Sequence, residues 1–365
     1  MNIQKIFITH SWSDVGVNIQ TKTVAKKLSE SIRVFYLSQA RIGKSSAKIN
    51  DNLIVHEWPN KRPNSIKDFL FICKKIWKEK PGAFVANFGA TNISMIAAWL
   101  LRVKYRICWL HTMSEQFYID VKDEHAAKKI IKQKKRIYAL ATHVVVLNEY
   151  GKVDAIKNYS IPEGKISKIY NGINPVNITP GEKKNYKSIR YSGRLDRSKG
   201  VDILIRAFAK VYQQDKTVKL EIAGRGDEEN KLKELVKSEQ LNECVIFHGY
   251  FDHYTKALQF IADAYCLVVP SRIDNFPTVI LEAFAAGVPV IASNVGGIPD
   301  MVQNETEGLL VEKEKVEGLS IAIQKMIDDC VMRNRMGSHA YKTFEEKFSM
   351  EKHVENVVEF LESLK

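Results

Sequence analysis

The sequence predicts an α/β protein with two doubly wound parallel-sheet domains. Short apolar runs alternate with helical patterns along the 365 residues, and a segment rich in Pro, Gly, Asn and charge, residues 171–185, interrupts this alternation. Repeated strand–helix–strand order is typical of parallel sheets covered by helices on both faces, and a chain of this length exceeds one ordinary core. We expect a first domain at 1–178, a second at 179–344, and a C-terminal helix at 345–365 that packs on the first domain.

Ten apolar runs predict the strands, five in each half of the chain. The runs of the first half are K-I-F-I-T, R-V-F-Y-L, A-F-V-A-N-F, R-I-C-W-L and H-V-V-V-L; those of the second are I-R-Y-S-G, K-L-E-I-A-G, V-I-F-H-G, C-L-V-V-P and P-V-I-A-S. Two such domains leave a cleft beside the carboxyl ends of their strands, which is where open α/β sheets bind ligands. We therefore expect the functional residues in the loops that follow strands.

The composition, with 45% hydrophobic and 27% charged residues, is that of a globular protein. The five cysteines are scattered and form no C-x-x-C pair, as expected of reduced thiols in a cytoplasmic protein. The N-terminal M-N-I-Q-K-I-F-I-T-H is predicted to be a strand rather than a signal peptide. The most apolar window is interrupted by Arg102, Lys104 and Arg106, so we expect no membrane-spanning helix.

The excess of positive charge belongs to the first half of the chain. The net charge is +13; residues 1–180 hold 29 Lys and Arg against 13 Asp and Glu, a balance of +16, whereas residues 181–365 hold 26 against 29, a balance of −3. This asymmetry indicates an anionic partner for the first half, namely nucleic acid, a membrane surface or a phosphorylated substrate. A merely solvated basic surface is the alternative.

Two loops of the second half have features that suit a phosphate ligand. In G-R-L-D-R-S-K-G, Gly193 lets the chain turn, and Arg194 and Lys199 lie beside a helix start. Fixed positive charge and unpaired N–H groups are what a diphosphate requires. In G-R-G-D-E-E-N, Gly224 and Gly226 leave the backbone open to close approach. Solvated cations and simple turn geometry are the alternative interpretations.

The stretch R-I-D-N-F-P-T-V-I-L-E-A-F-A-A-G-V-P-V carries two acids eight positions apart, Asp274 and Glu282. Proline suits the first turn of a helix, so we expect a helix at 277–286 with Thr278 and Glu282 on one face. The N–H groups of Thr278 and Val279 would then lie at the positive end of the helix dipole. An unpartnered carboxylate on a buried helix is costly. The layout therefore predicts a ligand with a central diphosphate and sugar-like hydroxyls at both ends.

Two positions of the first half are further candidates. Gly16 begins the turn after the first strand, which predicts a second site of backbone N–H groups. His111 ends the strand R-I-C-W-L, and a histidine at the carboxyl edge of a strand can take part in polar chemistry near neutral pH. A structural role is the alternative for His111.

Together these residues resemble the retaining glycosyltransferases of family four, which use nucleotide-sugar donors. Their GT-B fold has two Rossmann-like domains that face each other across a cleft. The resemblance covers nearly the whole chain and is most specific in the second half. The matching elements are G-R-L…K-G at 193–200, two acids separated by seven residues at 274–282, the following E-A-x-A-x-G-x-P-V, N-G-I-N at 171–174, the glycine at 16 and the histidine at 111.

The resemblance implies a role for each of these positions. Arg194 and Lys199 would hold the donor diphosphate and stabilise the departing nucleotide, while His111 would bind the sugar or polarise its 6-position. Glu282 would bind the ribose hydroxyls and Asp274 the hydroxyls of the transferred sugar. The remaining donor-binding positions are the main chain at Phe276, Pro277, Thr278 and Val279, the turns at Gly16 and Gly193, and a base pocket around Gly224, Gly226, Gly249 and Tyr250.

Three positions depart from the family pattern. Asp274 replaces the commoner glutamate and shortens the reach by one methylene, which bears on the identity of the sugar. Val15 replaces the first glycine of the N-terminal turn, which bears on the phosphate or acceptor contact there. Asn174 replaces a turn aspartate, a position that asparagine serves equally well.

The resemblance also implies the reaction. The chain contains no D-x-D motif, which fits transfer without a metal or other cofactor, with protein charges stabilising the leaving diphosphate. We expect UDP or GDP as the nucleotide and a saccharide or lipid-linked saccharide of bacterial surface polysaccharide synthesis as the acceptor. A covalent intermediate and attack from the leaving-group face both remain open, and the latter is the usual view of the family.

A lysine-rich helix of the first half is the candidate acceptor or membrane surface. Its basic residues alternate with Ile130, Ile131, Ile137 and Tyr138, and basic amphipathic helices can dock on anionic lipid. We therefore expect a cytoplasmic protein that can associate with the inner face of the membrane; a solvated helix face is the alternative. The basic positions are Lys128, Lys129, Lys132, Lys134, Lys135 and Arg136.

Other functions make different predictions. A sugar-nucleotide epimerase on the same fold would alter the donor with no acceptor present, and a phosphorylase would need phosphate or a lysine-bound cofactor. Nucleic-acid binding would use the same positive charge, but the aromatic residues near the lysine cluster form no stacking platform. A P-loop NTPase is excluded because G-K-S at 43–45 requires a glycine where Ser38 stands.

Overall fold

The computed structural model describes residues 3–13, 17–40, 43, 45–121, 123–174 and 186–364. The chain divides into a first unit, Met1–Asn171 with Met350–Lys365, and a second unit, Gly172–Ser349. The domain boundary expected at 178 lies outside the described residues. Residues 345–349 belong to the second unit rather than to the C-terminal helix, because Phe348 packs against Phe276 and Phe284 at ring-centroid distances of 6.0 and 6.3 Å.

The first unit contains an eight-stranded sheet. Its strands are β1 (Lys5–His10), β2 (Arg33–Ser38), β3 (Ser46–Lys48), β4 (Leu53–Glu57), β5 (Ala83–Ala86), β6 (Tyr105–Leu110), β7 (His143–Val146) and β8 (Ile166–Lys168). They are ordered β3-β4-β2-β1-β5-β6-β7-β8. Neighbouring strands pair in parallel except β3 and β4, which are antiparallel. The strand order reverses direction between β1 and β5, so the loops after these two strands diverge there.

Helices cover both faces of this sheet because side chains alternate along its strands. In β1, Ile6 and Ile8 belong to the core shared with the first and the C-terminal helices, and Phe7 belongs to the core on the opposite face. Ser65 and Asp68 form a capping box at the start of the second helix. The helices are α1 (Val17–Leu28), α2 (Ile66–Glu79), α3 (Thr91–Leu100), α4 (Ser114–Val121), α5 (Glu124–Tyr138), α6 (Glu149–Tyr159) and the C-terminal helix (Met350–Ser363).

The second unit contains a six-stranded parallel sheet. Its strands are β9 (Lys187–Ser192), β10 (Val218–Ala223), β11 (Val245–Gly249), β12 (Cys266–Val269), β13 (Val290–Ser293) and β14 (Gly308–Val311), in the order β11-β10-β9-β12-β13-β14. This order is that of a Rossmann fold, with the reversal between β9 and β12. The helices are α7 (Val201–Gln214), α8 (Glu229–Ser238), α9 (Tyr254–Ala262), α10 (Thr278–Ala285), α11 (Val316–Asp328) and α12 (Cys330–Thr343).

The predicted fold class is confirmed, and all ten predicted runs contain strands. Four further strands, β3, β4, β8 and β14, were absent from the prediction. Two of them, S-A-K in β3 and I-S-K in β8, have three residues each and are too short and polar to show a hydrophobic period. Within the described part of the chain, every helix is too short or too polar to cross a bilayer.

Candidate active site

The second sheet brings two predicted site loops together at its carboxyl edge. The chain leaves β9 into residues 193–200 and leaves β12 into residues 270–277, and these are the adjacent strands between which the strand order reverses. Open parallel sheets bind their ligands in the crevice formed at such a reversal. The topology therefore explains why G-R-L-D-R-S-K-G and the segment around Asp274 are neighbours despite their separation along the chain.

The two loops touch through their backbones. The N–H of Arg272 donates to the carbonyl of Ser198 at 2.8 Å. Gly200 has φ +67°, and a Cβ on it would lie 2.1 Å from the carbonyl oxygen of Pro270. A side chain at position 200 is incompatible with this approach, so the glycine of the predicted K-G pair holds the loops together.

Lys199 and Asp274 form an ion pair across these loops. The Nζ of Lys199 lies 2.6 Å from Oδ2 of Asp274, and both side chains are largely buried. The hydroxyl of Ser271 donates to the same oxygen at 3.2 Å. Sequence analysis assigned Lys199 to the donor diphosphate and Asp274 to the sugar, which are adjacent parts of one ligand, and the structure places the two side chains in contact.

Arg194 lies in the loop after β9 but is more exposed than Lys199. Its guanidinium is 2.9 Å from the Asp196 carboxylate, and its carbonyl oxygen accepts a hydrogen bond from the Tyr191 hydroxyl at 2.7 Å. The side chain lies on the surface, while the backbone of the loop is fixed by the hydrogen bond from Tyr191. The Arg194 side chain is 68% exposed, so an anionic ligand can reach its guanidinium, whereas its partner Asp196 is only 27% exposed.

Helix α10 begins beside Asp274, with Pro277 as its N-cap. The expected helix at 277–286 is one residue too long at each end, because Pro277 has an extended ψ of 106° and Ala286 is the C-cap. Proline has no side-chain acceptor, so it leaves the first N–H groups, those of Thr278 and Val279, for an outside partner. Phe276 is buried, and only its main chain is suited to ligand contact.

Glu282 lies one turn along α10 on the same face as Thr278. Burial raises the pKa of its carboxyl to about 7, although a hydrogen bond from Tyr254 acts in the opposite direction. The Tyr254 hydroxyl donates to Oε1 of Glu282 at 3.3 Å. Tyr254 was missed by sequence analysis, since nothing in the sequence pairs the start of α9 with the middle of α10.

The glycines assigned to the base pocket bring three loop backbones together. The N–H of Gly224 donates to the carbonyl of Gly249 at 2.8 Å, and a Cβ on Gly224 would lie 1.8 Å from the carbonyl oxygen of Gly193. A Cβ on Gly226 would lie 2.2 Å from the carbonyl oxygen of Leu195. These contacts are sufficient reason for glycine at positions 224 and 226, and the base pocket itself remains a prediction.

Tyr250 follows directly in this loop cluster and is exposed, with the Arg225 guanidinium 5.8 Å from its ring centroid. An exposed aromatic ring beside a cation can stack on a planar heterocycle. The position therefore suits the predicted contact with a nucleotide base.

In the first unit, His111 lies at the carboxyl end of β6 as predicted. Its Nε2 is 3.0 Å from Oδ1 of Asn87, and its ring stacks on Phe88 with a centroid distance of 3.9 Å. Burial holds the pKa of His111 well below its usual value, and the neighbouring His10 and His353 lower it further. The imidazole is therefore neutral at physiological pH and acts as a hydrogen-bonding group rather than as a cation.

Phe88 was not singled out by sequence analysis. It follows β5 in a short 3₁₀ turn and has φ +49°, a left-handed conformation that costs a non-glycine residue free energy. The strained backbone presents its ring to His111. The remaining predicted position of this unit, Gly16, lies outside the described residues.

Five of the six residues of the predicted basic cluster are exposed on α5, whereas Lys134 is partly buried, with its Nζ 5.6 Å from the ring centroid of Tyr138. Ile137 and Tyr138 are buried, and Ile131 packs against the core of the sheet. Among the described residues 123–138, no large apolar side chain is exposed. The amphipathic pattern of this helix therefore reflects packing on its own sheet. The basic side chains add charge to the surface without an apolar anchor.

The fold and the loop arrangement define a class of protein, the glycosyltransferases of GT-B fold. A solved structure of HepE from Anabaena in complex with UDP superposes with a TM-score of 0.80 at 18% identity, and covers 99% of this chain and 100% of that one. At this level of identity the likeness concerns the fold.

Sequence comparisons give the family. Residues 178–343 match the model of glycosyl transferases group 1, and residues 15–177 match that of glycosyltransferase family 4. The chain belongs to the family-four glycosyltransferases, as the resemblance of its motifs implied.

Two relatives illustrate the similarity. The capsular polysaccharide biosynthesis glycosyltransferase CapM of Staphylococcus aureus is 28% identical over 82% of each chain. An uncharacterized glycosyltransferase of Methanocaldococcus jannaschii is 33% identical over 56% of each chain, so this match spans about half the length of that relative.

Proposed function

We propose that the protein transfers a sugar, with retention of anomeric configuration, from a nucleoside-diphosphate sugar to a saccharide or lipid-linked saccharide of bacterial surface polysaccharide synthesis. The observation that carries this proposal is the Lys199–Asp274 pair, 2.6 Å apart and adjacent to the uncapped start of α10. The name of CapM supports the polysaccharide acceptor. The UDP complex of HepE makes UDP-sugars the first donors to test.

The geometry suits the charge that develops during transfer. When the bond between the anomeric carbon and the phosphate oxygen breaks, the electron pair leaves with the diphosphate, whether the acceptor attacks directly or an enzyme-bound sugar forms first. Lys199, Arg194 and the first N–H groups of α10 supply positive charge where that negative charge grows. Binding the diphosphate would draw Lys199 partly away from Asp274 and free that carboxylate for the sugar hydroxyls.

The other site residues have supporting roles in this proposal. Glu282 accepts hydrogen bonds from the two ribose hydroxyls, and Tyr254 orients its carboxylate. His111, neutral because of its burial, is the candidate hydrogen-bonding group of the first unit. Because protein groups provide the positive charge, we propose that the reaction requires neither a metal nor another cofactor. We also propose that the enzyme works in the cytoplasm at the inner face of the membrane, where the basic cluster of α5 attracts anionic lipid.

A product assay tests the proposal. The protein is incubated with UDP- and GDP-sugars and a saccharide acceptor, with and without EDTA, and the anomeric configuration of the new linkage is read by NMR. We expect a glycoside with the donor's configuration and equal rates in EDTA. An inverted linkage would contradict retention, and loss of activity in EDTA would contradict metal independence. An altered nucleotide sugar formed without acceptor would support an epimerase instead.

The raised pKa of Glu282 predicts a pH-dependent affinity for nucleotide. The carboxyl is ionised above pH about 7 and neutral below it, and only the ionised form accepts hydrogen bonds through both oxygens. The affinity for UDP or GDP should therefore fall as pH drops, by about tenfold from pH 8 to pH 6 if the neutral form binds poorly.

Calorimetric titrations of the wild type and of Glu282→Gln measure this effect. At high pH the variant should bind nucleotide more weakly than the wild type, and its affinity should lack the fall of about tenfold between pH 8 and pH 6. Any pH dependence that comes from the nucleotide's own phosphates should be the same in both proteins. The same pH profile for both proteins would show that Glu282 does not contact the ligand.

A further inference from the structure

Helix α2 carries a stripe of exposed apolar side chains that its own fold does not cover. Ile66, Leu70 and Trp77 are 79%, 61% and 73% exposed, and Cys73, at the same helical spacing between Leu70 and Trp77, is partly buried against the core. Residues spaced by three or four positions form a single face of a helix. The stripe therefore runs along the whole length of α2.

This stripe is distinct from the face that packs on the sheet. The side chains of Ile72 and Ile76 are buried in the core, and they point in a different direction from the stripe. A helix on the surface of a globular protein normally has one apolar face, toward the core, and a polar face outward. Helix α2 thus has a second apolar face, which is available to bind a partner from outside this unit.

The end of α3 also exposes large apolar side chains. Helices α2 and α3 pack side by side over the same face of the sheet, and Trp99 and Leu100 at the end of α3 are half exposed. Helices that follow parallel strands run back antiparallel to them. The ends of α2 and α3, with Trp77 and Trp99, therefore lie at the same edge of the unit.

The surface beside the stripe is basic. Lys67, Lys74 and Lys78 lie along α2 next to the apolar side chains, and none of them forms an ion pair with another residue that the structure describes. The acids of this helix are otherwise engaged, since Asp68 is the buried partner of the capping box and Glu79 is 3.6 Å from the Nζ of Lys5. An apolar strip with tryptophans and a basic border is complementary to a bilayer surface, which is anionic outside and apolar beneath.

We propose that this surface, formed by Ile66, Leu70 and Trp77 of α2 with Trp99 and Leu100 of α3, docks on a lipid bilayer that contains anionic lipid. The apolar side chains enter the interface and the three lysines meet the headgroups. The basic cluster on α5 belongs to the same helical layer, but it has charge only and no exposed apolar side chain. Docking on a bilayer would bring the enzyme to a lipid-linked acceptor, and only this consequence rests on the proposed function.

Vesicle co-sedimentation of the full chain, without donor or acceptor, tests the proposal. The vesicles are phosphatidylcholine alone and equal parts phosphatidylcholine and phosphatidylglycerol. The double variant Leu70→Gln, Trp77→Gln should bind the mixed vesicles at least about tenfold more weakly than the wild type, because two large apolar side chains no longer insert. Replacing Lys67, Lys74 and Lys78 by glutamine should weaken binding to the mixed vesicles by about fivefold for each lysine.

The second unit offers a matched control. Ile321 and Val331 are 60% and 75% exposed on α11 and α12, and Ile321→Gln with Val331→Gln should leave vesicle binding unchanged. Circular dichroism should show the same fold for all variants, since every changed side chain is exposed. Wild-type binding by the α2 double variant would overturn the proposal.

Sedimentation equilibrium in the absence of lipid tests the alternative that the stripe binds a second copy of this chain. The bilayer proposal would be overturned if the wild type self-associates and the double variant loses this association but still binds vesicles. The stripe would then be a contact between copies of the chain. Because the assay needs no catalysis, vesicle binding by a chain without transferase activity would leave this inference standing while the proposed function failed.

Discussion

Replacing Lys199 with alanine is expected to lower kcat/KM for sugar transfer by about 10²–10³-fold, the usual cost of removing a group that stabilises charge in a transition state. The lysine is the largely buried cation of the loop, 2.6 Å from Asp274, whereas Arg194 is exposed. The substitution removes the charge that meets the leaving diphosphate. Asp274 keeps its hydrogen bond from Ser271, so the loop should remain folded.

Two further variants show whether the charge itself is responsible. Lys199→Arg retains a cation and should recover part of the activity. Lys210→Ala removes an exposed lysine of α7 that pairs with Glu317 at 2.6 Å, and it should keep wild-type kcat/KM. Steady-state kinetics with a fixed acceptor measures all three. A Lys199→Ala enzyme within about twofold of wild type, on the scale of transition-state effects, would remove Lys199 from the site.

Replacing Gly200 with alanine is expected to lower folding stability strongly, by about 3 kcal/mol or more in the free energy of unfolding. The residue has φ +67°, and its Cβ would lie 2.1 Å from the carbonyl oxygen of Pro270. Backbone at this distance cannot move aside as a flexible side chain can. The loops that hold Lys199 and Asp274 would separate, and activity should fall with stability.

Gly249 provides a control with the same backbone conformation. Its φ is +69°, but nothing lies within 4 Å of the position of its Cβ. Gly249→Ala therefore carries the conformational strain alone, about 1–2 kcal/mol. Urea denaturation of both variants measures the difference between strain and steric clash. Equal losses of stability would mean that the contact between Gly200 and Pro270 does not hold the loops.

The positions of the site loops could be predicted from the sequence because parallel sheets impose strong rules. Once the apolar runs are read as alternating strands, ligand contacts are expected after strands at a reversal of strand order. Lys199 and Asp274 satisfy both conditions. Their direct ion pair could not be predicted, because they are 75 positions apart and only the adjacency of β9 and β12 brings them together.

Helix faces were harder to predict than helix positions. The apolar pattern of α5 suggested a surface for lipid, but Ile137 and Tyr138 are buried against the sheet. The sequence of α2 contains enough apolar residues for two faces, and periodicity alone does not say which face the sheet covers. The exposure of Leu70 and Trp77 became visible only with the fold.

The most direct test is a crystal structure of the protein soaked with UDP or GDP in the presence of EDTA. We expect the diphosphate within hydrogen-bonding distance of the Lys199 Nζ and the N–H groups of Thr278 and Val279, and the ribose hydroxyls on Glu282. A nucleotide bound away from the loops after β9 and β12, or one that binds there only when a divalent cation bridges its phosphates, would contradict the account.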